Sequence, residues 1–174
     1  VAFAGRSNAG KSSAINALAG RNRLAFASRT PGRTQQIVMF GLPSGAIVAD
    51  LPGYGYAAVP KAVKLAWQDV LATYVATRST LVALVLVVDA RHGLKPLDLA
   101  MLDGFLPSGR PVMVLATKSD KLTRTESARA SAAIRGQLAE RYPGQAPHVT
   151  VVPFSATART GLMEADAILG RWLA

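Results

Sequence analysis

The residues with the clearest chemical potential lie at the start of the chain. The stretch Gly5-Arg6-Ser7-Asn8-Ala9-Gly10-Lys11-Ser12 follows the pattern G-x-x-x-x-G-K-S, which cradles phosphate groups between a strand and a helix. Its glycines let the backbone curl so that successive N–H groups point at phosphate oxygens. Lys11 would reach the β- and γ-phosphates, and the Ser12 hydroxyl would bind Mg²⁺. The pattern therefore predicts a site for a nucleoside triphosphate with magnesium.

A second pattern, Asp50-Leu51-Pro52-Gly53, ends an apolar stretch about 40 residues later. A carboxylate at this place can hold Mg²⁺ through a water molecule, opposite the phosphate loop. The N–H of Gly53 can bond to a γ-phosphate, because no Cβ blocks a close backbone approach. The D-x-x-G pattern is weak when it stands alone, but this distance from a phosphate loop makes it a strong signal.

Two stretches near the end of the chain predict how a base is recognised. Thr117-Lys118-Ser119-Asp120 and Phe154-Ser155-Ala156 each follow an apolar run, at the strand ends where ligands bind in parallel sheets. Asp120 can accept hydrogen bonds from N1–H and the exocyclic amine of guanine, a pair of donors that adenine lacks. The stem of Lys118 can lie along the base, and the Ala156 N–H can bond to guanine O6. Guanine is therefore the predicted base.

Thr34 completes the predicted set from a basic loop. Residues 21–34 carry four arginines and no acid. A hydroxyl in such a loop can bind Mg²⁺ when a γ-phosphate holds the loop closed. Thr30 competes for this role, and Thr34 is preferred because it directly precedes a strand. The neighbours predicted to contact nucleotide with it are Gly32, Arg33, Gln35 and Gln36.

Composition limits the class of protein and suggests its partner. The 174 residues are 50% hydrophobic and 17% charged, which predicts one folded domain over residues 1–174. The longest aliphatic run, residues 81–88, is far shorter than the ~20 residues that span a membrane. A formal charge of +10 favours a polyanionic partner such as RNA. Since the chain begins with Val, we expect that an N-terminal segment is missing.

Apolar periodicity predicts the elements that would position these motifs. Strands are predicted at residues 1–4, 35–40, 46–50, 81–88, 112–116 and 149–152, and helices at 13–19, 61–77, 96–106, 123–141 and 162–173. The alternation predicts an α/β fold, a six-stranded, mixed and mostly parallel sheet with about five helices on both faces. Apolar side chains predicted to face the core include Val63, Trp67, Val70, Leu71, Tyr74, Met163 and Trp172.

The motifs, taken in order, resemble the G-domain of P-loop GTPases, and in detail the EngB family (also called YsxC or YihA) of the Era/TrmE-like TRAFAC class. The matching stretches cover residues 5–13, 30–35, 50–57, 89–92 and 117–122. The resemblance implies a cytoplasmic bacterial GTPase that binds GTP, GDP and Mg²⁺. It also implies a role in maturing the large ribosomal subunit and a link to cell division and septation. We further expect a monomer without a membrane span.

The residues also predict slow hydrolysis. Tyr54 follows the D-x-x-G pattern, where Ras-like GTPases place the Gln that orients the attacking water. In related GTPases an Asn at the position of Asn8 helps to hold K⁺, whereas Arg33 or Arg29 could instead supply charge in cis. Lys11, Thr34 and Asn8 are the predicted catalytic residues. Two other classes stay open: a nucleotide-gated RNA- or ribosome-binding module in which hydrolysis is dispensable, and a P-loop ATPase or kinase.

Overall fold

The computed structural model describes residues 1–20, 36–55 and 61–174. Its strands are β1 (Ala2–Gly5), β2 (Val38–Gly41), β3 (Ile47–Asp50), β4 (Leu84–Asp89), β5 (Val112–Thr117) and β6 (Val149–Pro153). Its α-helices are α1 (Lys11–Leu18), α2 (Lys61–Thr77), α3 (Pro96–Phe105), α4 (Arg124–Arg141) and α5 (Leu162–Trp172). The predicted fold class, a mixed sheet of six strands with five helices, is confirmed.

The sheet brings the ends of its parallel strands to one edge. The strand order is β2-β3-β1-β4-β5-β6, and only the β2–β3 pair is antiparallel. The chain leaves β1 toward β2 and β3 on one side, and later returns past β1 to β4 on the other. Such a switch of direction opens a crevice at the carboxyl ends of the strands. The loop after β1 lies at this crevice.

The core has two layers, one on each face of the sheet. Alternate residues of a strand face opposite sides, so Leu84, Leu86 and Val88 of β4 join one layer while Val85 and Val87 join the other. The first layer is covered by α2, α3 and α4, and the second by α1 and α5. The prediction of helices on both faces is therefore confirmed. No helix in the described residues is long and apolar enough to cross a membrane.

Of the side chains predicted in the core, those of Val63 and Trp67 lie outside the described part of the structure, and two of the described ones are exposed instead. Val70 is 58% exposed, because the buried face of α2 is centred on Leu71 and Val75. Met163 is 88% exposed, since α5 packs through Leu169 and its neighbours on that face. Both predictions were wrong because a helix turns by about 100° per residue, so an apolar residue one position from the buried face points toward solvent.

Strand and helix boundaries also differ from the predictions by a few residues. The strand predicted at 81–88 begins at Leu84, although Leu81 is buried. The strand predicted at 35–40 is observed at Val38–Gly41. Helix α1 begins at Lys11, two residues earlier than predicted.

Candidate functional site

The turn after β1 has the backbone of a phosphate cradle. Gly10 at the start of α1 has φ of 94°, a left-handed conformation that glycine adopts without strain. A Cβ on Gly5 would lie 2.7 Å from the Val87 carbonyl oxygen, so only glycine fits beside β4. Within the described residues no side chain caps α1, and its first turn contains no acid. The N–H groups and dipole at this helix end are therefore suited to an anion, which fits a nucleotide phosphate.

Lys11 and Asp50 meet beside this cradle. The Lys11 ammonium group donates to Asp50 Oδ1, and both side chains are largely buried. The contact follows from the sheet, since β3 pairs in parallel with β1 and places Asp50 opposite Phe3. The residue predicted to bind phosphate and the residue predicted to hold magnesium through water are thus in direct contact. Ser12 follows Lys11 in the first turn of α1.

The segment after Asp50 is attached to the phosphate loop by its backbone. The Ser7 N–H donates to the Tyr54 carbonyl at 2.8 Å, and the Tyr54 N–H donates to the Gly5 carbonyl at 3.3 Å. A Cβ on Gly53 would lie 3.3 Å from Ser7 Cα, so glycine permits this close approach. The side chain of Leu51 is buried in the core. Residues 50–54 are therefore fixed at the cradle rather than free of it.

Tyr54 is held away from the phosphate cradle. Its ring is buried, and its hydroxyl donates to Asp98 Oδ1 of α3 at 2.7 Å. The other Asp98 oxygen accepts from the Lys95 N–H at 2.9 Å, which caps α3. Burial raises the pKa of Asp98, and burial next to this carboxyl raises the pKa of Tyr54 well above its usual value. The position that Gln fills in Ras-like GTPases is thus occupied by a phenol that faces the interior. Sequence reasoning missed Asp98.

The predicted base-recognition residues come together at the ends of β5 and β6. Ser155 Oγ donates to Asp120 Oδ1 at 2.6 Å and accepts from the Ala158 N–H at 2.9 Å. The Ser155 hydrogen bond holds the pKa of Asp120 below its usual range, so its carboxylate is charged. The side chain of Phe154 is fully buried, and its carbonyl accepts from the Ser119 N–H at 3.1 Å. Phe154 and Ser119 therefore position this corner through their backbones.

Two residues of β5 and its following turn connect that corner to the phosphate loop. The hydroxyl of buried Thr117 lies within hydrogen-bonding reach of two carbonyls, those of Ala9 and Val88. The Lys118 ammonium donates to the Asn8 carbonyl at 2.6 Å. The base corner and the cradle therefore share one hydrogen-bonded frame. Both Asn8 (φ 65°) and Lys118 (φ 58°) have left-handed backbones, a conformation that these contacts stabilise.

Asp89 at the end of β4 has a wider role than a turn residue. Asp89 Oδ1 accepts from the Arg91 N–H at 3.1 Å, a contact within the turn that follows β4. It also forms ion pairs with the Arg91 guanidinium at 2.7 Å and with the Lys118 ammonium at 3.0 Å. Partial burial opposes ionisation, but these hydrogen bonds hold the pKa of Asp89 well below its usual range. Asp89 thus supports Lys118, which the sequence did not reveal.

Some predicted site residues lie outside the described part of the chain. These are Gly32, Arg33, Thr34 and Gln35, together with the competing candidates Thr30 and Arg29. Gln36 is described and exposed, shortly before β2. Asn8 is exposed at the cradle, Arg6 is half-buried behind it, and Pro52 is buried after β3. The structure thus gathers the motifs at residues 5–12, 50–53, 117–120 and 154–156 along one edge of the sheet.

Comparison with known proteins identifies the family. Residues 1–118 match the family model described as a 50S ribosome-binding GTPase. A probable GTP-binding protein EngB of Azoarcus sp. (strain BH72) is 52% identical over 173 residues, which cover 99% of this chain and 81% of that protein. Its counterpart in Thiobacillus denitrificans (strain ATCC 25259 / T1) is 50% identical over 174 residues, covering 100% of this chain and 82% of the relative.

Solved structures support the fold. A crystal structure of a probable GTP-binding protein EngB superposes with a TM-score of 0.77 at 23% identity, covering 99% of this chain and 97% of that one. Era in complex with MgGDPNP and nucleotides 1506–1542 of 16S ribosomal RNA has a TM-score of 0.69 at 21% identity, covering 99% and 56%. The fold is that of a P-loop GTPase. Because about half of its residues are shared with EngB proteins across nearly its whole length, the chain belongs to the EngB family of GTP-binding proteins and is a GTPase.

Proposed function

We propose that this GTPase acts as a slow molecular switch in assembly of the large ribosomal subunit of a bacterium. In this proposal the GTP form engages the subunit or its precursor in the cytoplasm, and hydrolysis to GDP ends the contact. A role in cell division and septation follows through the supply of ribosomes. The observation that carries the proposal is the hydrogen-bonded frame joining the phosphate cradle to Asp120, because it suits a guanine nucleotide at both ends.

The phosphate end of the nucleotide would lie on α1. The backbone N–H groups of residues 8–12 would bond to phosphate oxygens, and the uncapped start of α1 would add its dipole. Lys11 would exchange its contact with Asp50 for the β- and γ-phosphates. Such an exchange keeps the ammonium group paired in both states. It also frees the Asp50 carboxylate when nucleotide is present.

The residues that would hold magnesium are Ser12 and Thr34 directly, and Asp50 through water. When bound, Mg²⁺ neutralises charge that develops on the β- and γ-phosphates. Asp50 fits this role, because its largely buried carboxylate already pairs with a cation at the cradle. Thr34 would close the loop that contains it over the γ-phosphate, which couples the loop to the nucleotide state.

The base end would be read by Asp120, Lys118 and Ala156. The charged Asp120 carboxylate accepts one hydrogen bond from Ser155, and its remaining lone pairs suit the two donors of guanine. Adenine would leave this carboxylate without those donors, a mismatch worth on the order of 10⁴-fold in discrimination. An ATPase or kinase activity is therefore disfavoured.

Two observations support a ribosomal partner. The matching family model is described as a 50S ribosome-binding GTPase, and the chain carries a formal charge of +10. A surface of this charge attracts the phosphates of rRNA at long range. In addition, the structural neighbour Era was solved with a fragment of 16S ribosomal RNA. We expect a monomer in this role.

Sedimentation with ribosomal subunits tests the proposal. The protein is mixed with purified large and small subunits in GDP or in a non-hydrolysable GTP analogue, and the pelleted fraction is measured. We expect pelleting with the large subunit in the analogue and much less in GDP. Asp120→Ala should lose the nucleotide dependence, whereas Asp166→Ala, on α5, is the control. Equal pelleting in both nucleotide states, or with the small subunit alone, would contradict the proposal.

One observation favours a second candidate, a nucleotide-gated binding module in which hydrolysis is dispensable. Because the Tyr54 hydroxyl bonds to Asp98, it does not orient an attacking water. A Thr34→Ala variant separates the two functions. Growth supported by this variant without measurable hydrolysis would favour the binding module, and failure to grow despite normal folding would favour the switch.

A further inference from the structure

A polar cavity lies behind the phosphate loop. Its volume is about 230 Å³, and it is lined by Arg6, Ser7, Asn8, Ala9, Val87, Val88, Asp89, Arg91, His92, Gly93, Asp98 and Lys118. Neither Lys11 nor Ser12 lines it, and neither does Asp120. The cavity therefore adjoins the predicted nucleotide site and shares Lys118 and the loop at residues 6–9 with it, while its remaining lining comes from the end of β4, the turn after it and α3.

The acids that line this cavity already have hydrogen-bond donors. Both oxygens of Asp89 accept from Arg91, and one of them also pairs with Lys118. Asp98, which is 1% exposed, accepts from the Tyr54 hydroxyl on one oxygen and from the Lys95 N–H on the other. Asp89 is therefore fully occupied by donors, and Asp98 is buried with a donor on each oxygen, so these acids leave the cavity with little capacity to receive a cation.

Arg6, in contrast, gives the cavity a group that can bind an anion. Its side chain is half-buried, and it lies close enough to Asp98 to influence the pKa of that carboxyl. Even so, it forms none of the ion pairs that the described residues make. Residues 21–35 and 56–60 contain no Asp or Glu, so the undescribed parts of the chain hold no carboxylate for it. Among the described residues, this half-buried guanidinium group with its five N–H donors thus has a nearby carboxylate in Asp98 but none within ion-pairing distance.

The size of the cavity limits what can occupy it. A volume of about 230 Å³ corresponds to roughly eight water molecules, and it is below the roughly 300–1,000 Å³ of ordinary ligand pockets. One phosphate or carboxylate group fits within this volume. Arg6, Arg91 and Lys118 against Asp89 and Asp98 leave the lining with an excess of one positive charge when His92 is neutral.

We propose that this cavity is a second anion site, which takes one compact oxyanion, a phosphate or carboxylate group, on the guanidinium of Arg6. His92 and Gly93 form its rim, and Asp98 fixes its floor. Because its inner wall is the phosphate loop, an anion bound there also contacts the backbone of the nucleotide site from behind. Anion binding in the cavity and nucleotide binding are therefore coupled, and each ligand changes the affinity for the other by the same factor.

Inorganic phosphate is the probe that tests this site. The protein is saturated with Mg²⁺ and a non-hydrolysable GTP analogue, so that phosphate has no access to the cradle on α1. Backbone amide NMR then follows a titration with phosphate, with acetate and with NaCl at matched ionic strength. We expect saturable shifts at Ser7, Asn8, His92 and Gly93 with phosphate or acetate, but not with chloride. Shifts that grow linearly and equally in all three salts, or that fall only on residues 10–12, would overturn the proposal.

Charge variants locate the site. Arg6→Gln should weaken phosphate binding by about tenfold or more, the size expected for a charge-assisted hydrogen bond. Arg135→Gln, which removes an exposed arginine on α4, is the matched control and should leave binding unchanged. Unchanged phosphate affinity in Arg6→Gln would contradict the proposal.

A second pair of variants keeps the test decisive if Arg6→Gln does not fold. His92→Glu places a carboxylate at the exposed rim and should abolish phosphate binding by repulsion. His148→Glu makes the same change in an exposed turn before β6 and should have no effect. Equal phosphate binding by His92→Glu and His148→Glu would also overturn the site.

Discussion

Replacing Tyr54 by Phe removes one buried hydroxyl group and keeps the ring. The hydroxyl donates to Asp98 Oδ1 at 2.7 Å, and Asp98 then retains only the Lys95 N–H. A hydrogen bond to a charged group contributes about 1.5–3 kcal/mol, and a buried acceptor that loses its donor is costly. We therefore expect Tyr54→Phe to lower the free energy of unfolding by about 2 kcal/mol. For a chain of this length, that corresponds to a fall in Tm of roughly 4–8 °C.

The molecule supplies a matched control for this measurement. The Tyr142 hydroxyl also donates to an aspartate of α3, Asp103 Oδ1, at the same 2.7 Å. That pair lies at the surface, where the Asp103 side chain is 44% exposed and the Arg141 guanidinium also contacts it. Water can replace the lost donor there, so Tyr142→Phe should cost only about 0.5 kcal/mol. The comparison isolates the contribution of burial at equal hydrogen-bond length.

The pH dependence of the stability loss in Tyr54→Phe provides a second test. Burial raises the pKa of Asp98 in the folded protein, so lowering the pH neutralises this carboxyl earlier than an exposed one. The Tyr54 hydroxyl stabilises mainly the anion, and its contribution is fully present above the raised pKa. The difference in the free energy of unfolding between the parent and Tyr54→Phe should thus be largest near pH 7 and become smaller toward pH 4.

Urea denaturation of both Phe variants between pH 4 and 7 measures these differences. Equal losses for Tyr54→Phe and Tyr142→Phe at pH 7 would refute the argument from burial. A difference for Tyr54→Phe that widens on acidification would refute the assignment of Asp98 as the anion.

Three further predictions concern the nucleotide and the ribosome. Asp120→Asn should shift preference from GTP to XTP, since an amide can donate to the xanthine 2-oxo group; titrations with GTP, ATP and XTP check this, and equal binding of ATP and GTP by the parent would contradict guanine recognition. Single-turnover hydrolysis should proceed at roughly 10⁻⁴ to 10⁻³ s⁻¹. The rate should be higher in KCl than in NaCl, and Asn8→Ala should abolish this difference between the salts. A fast rate that is the same in both salts would instead implicate Arg33. Ribosome affinity should fall steeply with KCl, and removing Arg21 and Arg23 should reduce the slope; binding insensitive to salt would exclude a basic contact surface.

The fold and the positions of the motifs could be predicted because both follow from local patterns. The run at residues 112–116 is apolar throughout, which is typical of a strand buried on both faces. Since parallel strands end at one edge, the order of the motifs along the chain also places them together. Thr123 followed by Glu126 forms the capping box that starts α4, a signal visible in the sequence.

What could not be predicted depends on pairs of residues that are distant in sequence. Asp98 lies 44 residues from Tyr54, and a helix-capping carboxylate gives no sign that it will also accept a phenol. Similarly, the pairing of Asp89 with Lys118 arises only when β4 and β5 align. The exposed Met163 shows another limit, because hydrophobicity alone does not distinguish a residue on the buried face from its neighbour. Such contacts are set by packing between elements, which local pattern does not contain.

The contacts of Thr117 and Lys118 with the Ala9 and Asn8 carbonyls join the phosphate loop and the turn after β5 into one rigid unit. A ligand that meets only one end of the site, such as guanosine or pyrophosphate, would find the other end already ordered. The conformational entropy of ordering that frame is then lost during folding rather than on binding, so the two fragments should bind without assisting each other. Linking them into one molecule gains affinity through effective concentration alone. The same connection has a cost, because a substitution that removes the hydrogen bonds of Thr117 should lower the affinity for guanosine and for pyrophosphate together.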